Sequence, residues 1–375
     1  MKTERKCNIW LVSSARPNFV KMAPLHSALV AQNWCSPKFV YIAQHQAKTL
    51  TTEISRPLGI ERFDIEIMLE QRDGFARRIG DMSQACSDKM VEENPDLIVV
   101  PGDVDASFAV TLAARRNRIP VAHLEAGLRS YDLEMPEELN RILIDSVSNI
   151  WLAPSETAYQ HLIQDEARNS SRVHNVGNIM IDSVVKVLDP SWDPQAIGLP
   201  DENKDFALVT MHRPHNVDDK ERLNLVIDLI GRISEETRVI LPAHPRLQSN
   251  LERFDLLDRV RAIPNLFFIN PLGYLDFVNL MARSWFILTD SGGIQEEAAF
   301  LKKRCFTYRK STERPQTVEC GSNTLVNDFD AWEAVSSFMN GSRAAEIRDI
   351  PLWDGLTRYR VSQILHNWWF DEGRQ

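Results

Sequence analysis

The chain has 375 residues, 43% hydrophobic and 25% charged, a balance typical of a soluble globular protein and a length that favours two domains over one core. A formal net charge of −9 argues against a general nucleic-acid or anionic-membrane binder, while a locally basic cleft could still take an anionic small ligand. Five scattered cysteines read as reduced thiols, the N-terminal stretch is too charged for a signal peptide, and no run approaches the ~18–20 apolar residues of a membrane span, so a cytoplasmic protein with no membrane insertion is expected.

In chain order, strands are predicted at Asn8–Val12, Lys38–Ile42, Asp96–Val100, Ile119–His123 and Ile150–Pro154, with helices over Pro17–Gln32, Ser107–Arg116 and Pro136–Ser148 among them. The pattern restarts with strands at Phe206–Met211, Arg238–Pro242, Leu266–Asn270, Trp285–Asp290 and Arg304–Tyr308, and helices over Lys220–Thr237, Tyr274–Arg283 and Ile294–Lys302. The apolar runs are continuous, as in a parallel sheet covered on both faces. Two such series predict two doubly wound α/β domains, 1–172 and 173–353, joined near Val173–Asp182, with a C-terminal helix in 354–375 packing back on the first domain.

Ligands of such sheets bind beyond the carboxyl ends of the strands, and the chemically distinctive segments lie there. They are SSARPNFVK, PGDVDAS and HLEAGLRSYDLEMPEELNR in the first half, and MHRPHN, PAHPR and TDSGGIQEE in the second. Glu137 and Glu138 open a helix, where acids are favoured in any case, and Asp103 equally suits a turn or cap. Glu125, between Leu124 and Ala126 at the end of a buried strand, needs a partner or a task. Arg16, Lys21, His212, Arg213 and Arg314 supply cations at successive strand ends, whereas His215 and His244 fit ordinary loop positions equally well. A helix beginning at Ser291-Gly292-Gly293 turns free N–H groups toward an anion. The sequence has no dinucleotide glycine fingerprint, P-loop, nucleophile elbow, HExxH motif or cysteine cluster, which points away from hydride transfer, ATP-driven work and zinc chemistry. A diphosphate-like ligand opposed by carboxylates remains, a combination suited to acid–base chemistry on a phosphorylated sugar.

From about Asn8 to Val326 the blocks ARPNFVKMAP, AQH, PGDVDAS, HLEAGLRS, MPEELNRIL, VGNIMIDS, HRPHNVDD, HPR, PLGYLDFVNLM, TDSGGIQEEA and TERPQTVECGSNTLV occur in the order seen in non-hydrolysing UDP-N-acetylglucosamine 2-epimerases, and the chain resembles that family. The resemblance implies a GT-B fold, two Rossmann-like doubly wound domains facing a central cleft, as a homodimer. It implies inversion at C2 of UDP-N-acetylglucosamine, giving UDP-N-acetylmannosamine by loss of UDP to a 2-acetamidoglucal and re-addition, with no metal or cofactor, in polysaccharide precursor synthesis. By carry-over, Asp103, Glu125 and Glu137 are the acid–base and sugar-contacting groups, with the proton acceptor among them unassigned. Arg16, His212 and Ser291–Gly293 face the diphosphate, Glu297 the ribose and Phe277 the uracil. Lys21, Arg141 and Arg314 are further ligand contacts. Gln44 and His45, with His244, mark a possible regulatory site. Ser14 and Ala43 stand where the family has glycine, and Ala47, the segment 66–78 and His215 also depart from its pattern. Those departures keep open an epimerase or hydrolase acting on a related UDP-sugar, a catalytically silent UDP-sugar-binding protein, and a GT-B glycosyltransferase.

Overall fold

The continuous apolar runs become strands of two all-parallel sheets in the computed structural model, which describes residues 5–44, 58–69, 74–165, 168–199, 205–341 and 346–373. The first unit comprises Met1–Lys186 with Pro351–Gln375, and the second Val187–Ile350. In the first, β1 (Cys7–Ser13), β2 (Cys35–Gln44), β3 (Ile65–Leu69), β4 (Leu97–Pro101), β5 (Val121–Leu124), β6 (Ile150–Ala153) and β7 (Val173–Asn175) lie in the order β3-β2-β1-β4-β5-β6-β7. In the second, β8 (Phe206–Thr210), β9 (Arg238–Pro242), β10 (Leu266–Ile269), β11 (Phe286–Thr289), β12 (Arg304–Tyr308) and β13 (Asn323–Val326) lie in the order β10-β9-β8-β11-β12-β13. Chain order reverses between β1 and β4, and again between β8 and β11. A doubly wound sheet opens its ligand crevice at such a reversal, beyond the carboxyl ends of the strands.

Helices cover both faces, which explains the unbroken apolar strands. The helices Phe75–Glu93 and Asp105–Arg116 bury Ile79, Met82, Cys86, Ala109, Val110 and Ala113 against the sheet face that carries Trp10, Val40, Ile65 and Ile98. In the second unit, Lys220–Glu236 packs Leu223, Val226, Ile230 and Ile233 on one face of the sheet. Leu280, Met281, Ile294 and Ala298, from Tyr274–Arg283 and Gly292–Phe300, cover the other.

The observed boundary lies later than the expected 172/173 division. Val173–Asn175 pairs with β6 as an edge strand of the first sheet, so the first unit runs on to Lys186. The C-terminal segment belongs to the same unit from Pro351, and its helix Thr357–Trp368 lies against the helix Arg16–Val30. Asp182 caps that C-terminal helix by accepting from the Thr357 N–H at 3.1 Å and the Arg358 N–H at 3.0 Å. Ser14 and Ala43, which stand where the family has glycine, fit without it. Ala43 is buried within β2, and the Ser14 hydroxyl donates to Asn18 Oδ1 at 3.2 Å in front of the helix Arg16–Val30. No helix among the described residues is long and apolar enough to cross a membrane.

Candidate active site

The strand ends at the two reversals carry most of the residues singled out from the sequence. In the first unit, β5 delivers Glu125 with φ of 70°, a left-handed backbone that a non-glycine residue adopts at a cost. Its carboxylate is buried and accepts a hydrogen bond from Lys21 Nζ at 2.5 Å, with side-chain exposures of 8% and 12%, so each desolvated charge compensates the other. Lys21 comes from the helix following β1, which brings both sides of the strand reversal to one point. Gly102, at the end of β4, has φ of +57°, and a Cβ there would sit 3.2 Å from Lys21 Nζ and 3.4 Å from Glu125 Oε2. Glycine therefore meets both the backbone angle and the close approach.

Asp103 follows, and its carboxylate accepts from Arg141 Nη2 at 2.5 Å. Arg141 is buried on the helix Pro136–Val147 and also grips Glu138. Glu138, read from sequence as ordinary helix-start chemistry, is buried and accepts from the Ser130 and Tyr131 N–H groups at 2.9 and 3.2 Å. It thereby holds the loop leading from Glu125 to this helix. Glu137, the preceding residue, is exposed. Glu125 with Lys21 and Asp103 with Arg141 thus form two ion pairs at the ends of neighbouring strands, with Glu137 on the same helix as Arg141.

In the second unit the reversal brings His212 and the start of the helix Gly292–Phe300 together through Asp290. Asp290 is fully buried and accepts from the His212 and Arg213 N–H groups at 3.1 and 2.9 Å and from Asn216 Nδ2 at 3.0 Å. Burial would raise its carboxyl, but His212, Asn216 and the Arg213 N–H outweigh that and hold it below the usual carboxylate range. His212 Nδ1 lies 3.1 Å from Asp290 Oδ1, which fixes the ring and leaves Nε2 as its other polar atom. The His244 ring packs on His212 with centroids 4.9 Å apart.

The two glycines have different surroundings. A Cβ on Gly292 would lie 2.8 Å from Arg314 Nη1, whereas one on Gly293 would meet open space. The room expected at both positions for an anion is therefore present at Gly293; at Gly292 it is filled by Arg314. Arg314 lies beside Glu296 and Glu313. Burial would raise the Glu313 carboxyl, but Arg314, Arg309 and Arg213 hold it far below the usual range.

Glu297 is buried one turn into the helix and accepts from the Tyr274 hydroxyl at 2.9 Å. Burial pushes its carboxyl up to about 7, against the lowering effect of the Tyr274 hydrogen bond and with a further push from Glu296. Phe277 lies on the same helix as Tyr274, partly buried against the apolar cluster beneath.

Ser291 is the residue before that helix, and Arg16 opens the helix after β1. Gln44 ends β2, while His45 and Ala47 lie outside the described residues. His215 faces Arg222, with Nε2 3.1 Å from Nη2, on the exposed side of the short helix Pro214–Val217 after β8. No group of three or more potential metal ligands occurs among the described residues. Sequence reading gave no role to Asp290, Glu313, Arg309 or Tyr274, whose partners lie far along the chain. For Asp290 the signal was present, since a lone acid directly behind a buried strand needs a partner.

The family model for UDP-N-acetylglucosamine 2-epimerase matches residues 27–366. The UDP-2,3-diacetamido-2,3-dideoxy-D-glucuronate 2-epimerase of Pseudomonas aeruginosa is 36% identical over 320 residues, 85% of this chain and 88% of that protein. The UDP-N-acetylglucosamine 2-epimerase of Methanocaldococcus jannaschii is 35% identical over 368 residues, 95% of this chain and 98% of that protein. The Neisseria meningitidis UDP-GlcNAc 2-epimerase crystallised with UDP-GlcNAc superposes with a TM-score of 0.86 at 29% identity, covering 96% of this chain and 100% of the other. The two Rossmann-like units are those of the GT-B fold. With the family model, the relatives and the fold in agreement, the chain belongs to the UDP-N-acetylglucosamine 2-epimerase family and is an epimerase, an isomerase by reaction class.

Proposed function

We propose that the protein interconverts UDP-N-acetylglucosamine and UDP-N-acetylmannosamine by loss and return of UDP. The carrying observation is the division of chemistry between the strand reversals: acids with paired cations in one unit, and an open helix N-terminus with His212 and Glu297 in the other. The C2 proton is not next to a carbonyl, so removing it directly is prohibitively slow. Weakening the C1–O bond first puts positive character on C1 and acidifies C2. The C1–O electron pair leaves with UDP, a carboxylate takes the C2 proton, and a 2-acetamidoglucal forms. Re-addition of UDP at C1, with proton delivery to the opposite face of C2, completes the inversion.

In this reading the Gly293 approach, Ser291, Arg16, His212 and Arg314 hold the diphosphate. Glu297 receives the ribose hydroxyls and Phe277 borders the uracil. Asp103, Glu125 and Glu137 serve the sugar, with Lys21 and Arg141 holding the first two of these acids in place. Gln44, His45 and His244 are assigned to regulation by the sugar nucleotide. Exclusion of water while the glucal waits is part of the same proposal.

A homodimer is supported by Leu139, Leu143 and Val147, exposed at successive turns of one helix, with exposed Leu112 on the neighbouring helix. A reducing, cytoplasmic location is supported by five buried free thiols, and the reaction suits supply of sugar nucleotides for polysaccharide synthesis. The relative named for the 2,3-diacetamido uronate favours a second reading in which that sugar is the substrate. Incubation of each UDP-sugar in heavy water decides between them. The true substrate gains deuterium at C2 in both epimers, whereas free UDP and free sugar without exchange would replace epimerisation with hydrolysis.

A further inference from the structure

We propose, resting on the epimerase reading above, that His123 is a positioning residue that sets the three carboxylates of the first unit in register with one another. His123 lies in β5 and is fully buried, between Ala122 and Leu124, where an aliphatic side chain would suffice for packing. An imidazole costs desolvation there unless both ring nitrogens find partners, and both do. Nε2 donates to the Gly102 carbonyl at 2.8 Å, and Nδ1 meets Asp145 Oδ1 at 2.7 Å.

Each partner leads to a different acid. Gly102 is the turn residue directly before Asp103. Asp145 lies on the helix Pro136–Val147, about two turns beyond Glu137. Its second oxygen accepts from the Gly127 N–H at 3.1 Å and pairs with Arg129 at 2.7 Å, which pins the loop leaving Glu125. Burial would raise the Asp145 carboxyl, but His123 and Arg129 hold it below the usual range. One ring therefore ties together the β4 turn, the loop after β5 and the Glu137 helix, without needing to touch a substrate.

The test uses His123→Gln and His123→Asn in the full chain. A glutamine amide reaches the position of Nε2 and keeps the donor to Gly102; an asparagine amide reaches that of Nδ1 and loses it. Misplacing a catalytic group by about 1 Å costs up to about 100-fold in rate, so kcat should fall toward that factor in both variants, in His123→Asn through the freed Gly102–Asp103 turn and in His123→Gln through the loss of the Asp145 contact that holds the Glu137 helix. KM and UDP affinity, the latter carried by the second unit, should stay within about threefold in both. Amide hydrogen exchange at Gly102–Asp103 should quicken in His123→Asn and stay slow in His123→Gln. Wild-type kcat in His123→Asn would overturn the proposal, as would a rate loss that merely follows a parallel loss of UDP affinity and melting temperature. If the wild-type protein turns over no UDP-sugar, the epimerase reading fails, and the exchange pattern at Gly102–Asp103 still decides the role of His123.

Discussion

Binding of the sugar nucleotide should release a proton from Glu297. In the unliganded protein burial holds this carboxyl at about 7, above its ordinary 4.5. The proposed ribose contact places two hydroxyl donors on the carboxylate, which favours the ionised form. At about pH 6 roughly one molecule in ten would carry that form, so apparent affinity should fall about tenfold, or ~1.4 kcal/mol, below its plateau near pH 8. UDP-N-acetylglucosamine is the ligand to use, because its diphosphate is a diester with no proton to lose near neutrality. Calorimetry in buffers of different ionisation enthalpy should find close to one proton released per ligand near pH 6 and little above about pH 8. Glu297→Gln should bind more weakly and lose this part of the pH dependence. Stability follows the same linkage: the folded state holds the extra proton between about 4.5 and about 7, so unfolding free energy should decline as pH rises through that window and level off above it. An affinity independent of pH from about 6 to 8, with no proton released, would refute the assignment of Glu297 to the ribose.

The glycine pair gives a contrast at adjacent positions. Gly293→Ala meets no atom and should stabilise the unliganded protein by ~0.5–1 kcal/mol in melting experiments while weakening UDP binding, because the methyl group occupies the anion's approach. Gly292→Ala should instead displace Arg314, whose Nη1 would lie 2.8 Å from the new Cβ, and lower UDP affinity without that gain in melting temperature. Lys21→Met leaves Glu125 buried without its cation and should cost about 3 kcal/mol in denaturant unfolding, with activity lost alongside. Leu139→Asp combined with Leu143→Asp should convert the proposed dimer to a monomer in sedimentation while leaving the melting transition cooperative; an unchanged mass would exclude that helix face as the interface.

Central strands were legible because both faces are covered, so Leu97–Pro101 or Phe286–Thr289 reads as an unbroken apolar run. Three of the four edge strands were not. Ile65–Leu69 alternates buried and exposed residues, while Val173–Asn175 and Asn323–Val326 are too short to stand out from loops. The missed strand β7 is also what misplaced the domain boundary. The helix Phe75–Glu93 escaped because its buried side chains, Ile79, Met82, Cys86 and Met90, are sparse among polar ones, although their spacing is helical. At the site, individual acids and cations were visible at strand ends, but their pairings were not. Glu125 meets Lys21 and His212 meets Asp290 only because each sheet reverses its order at that point. Gly292 and Gly293 look alike in sequence and differ only once Arg314 is in place.

The central claim is that the bond between C1 and the diphosphate breaks and re-forms in every turnover. Substrate carrying heavy oxygen in that bridge tests it directly, with the label followed by phosphorus NMR as the reaction equilibrates. Return of a torsionally free UDP should move the label into the non-bridging positions of the β-phosphate while C2 takes deuterium from solvent. Epimerisation that leaves every label in the bridge would contradict elimination and require a route in which the nucleotide never departs.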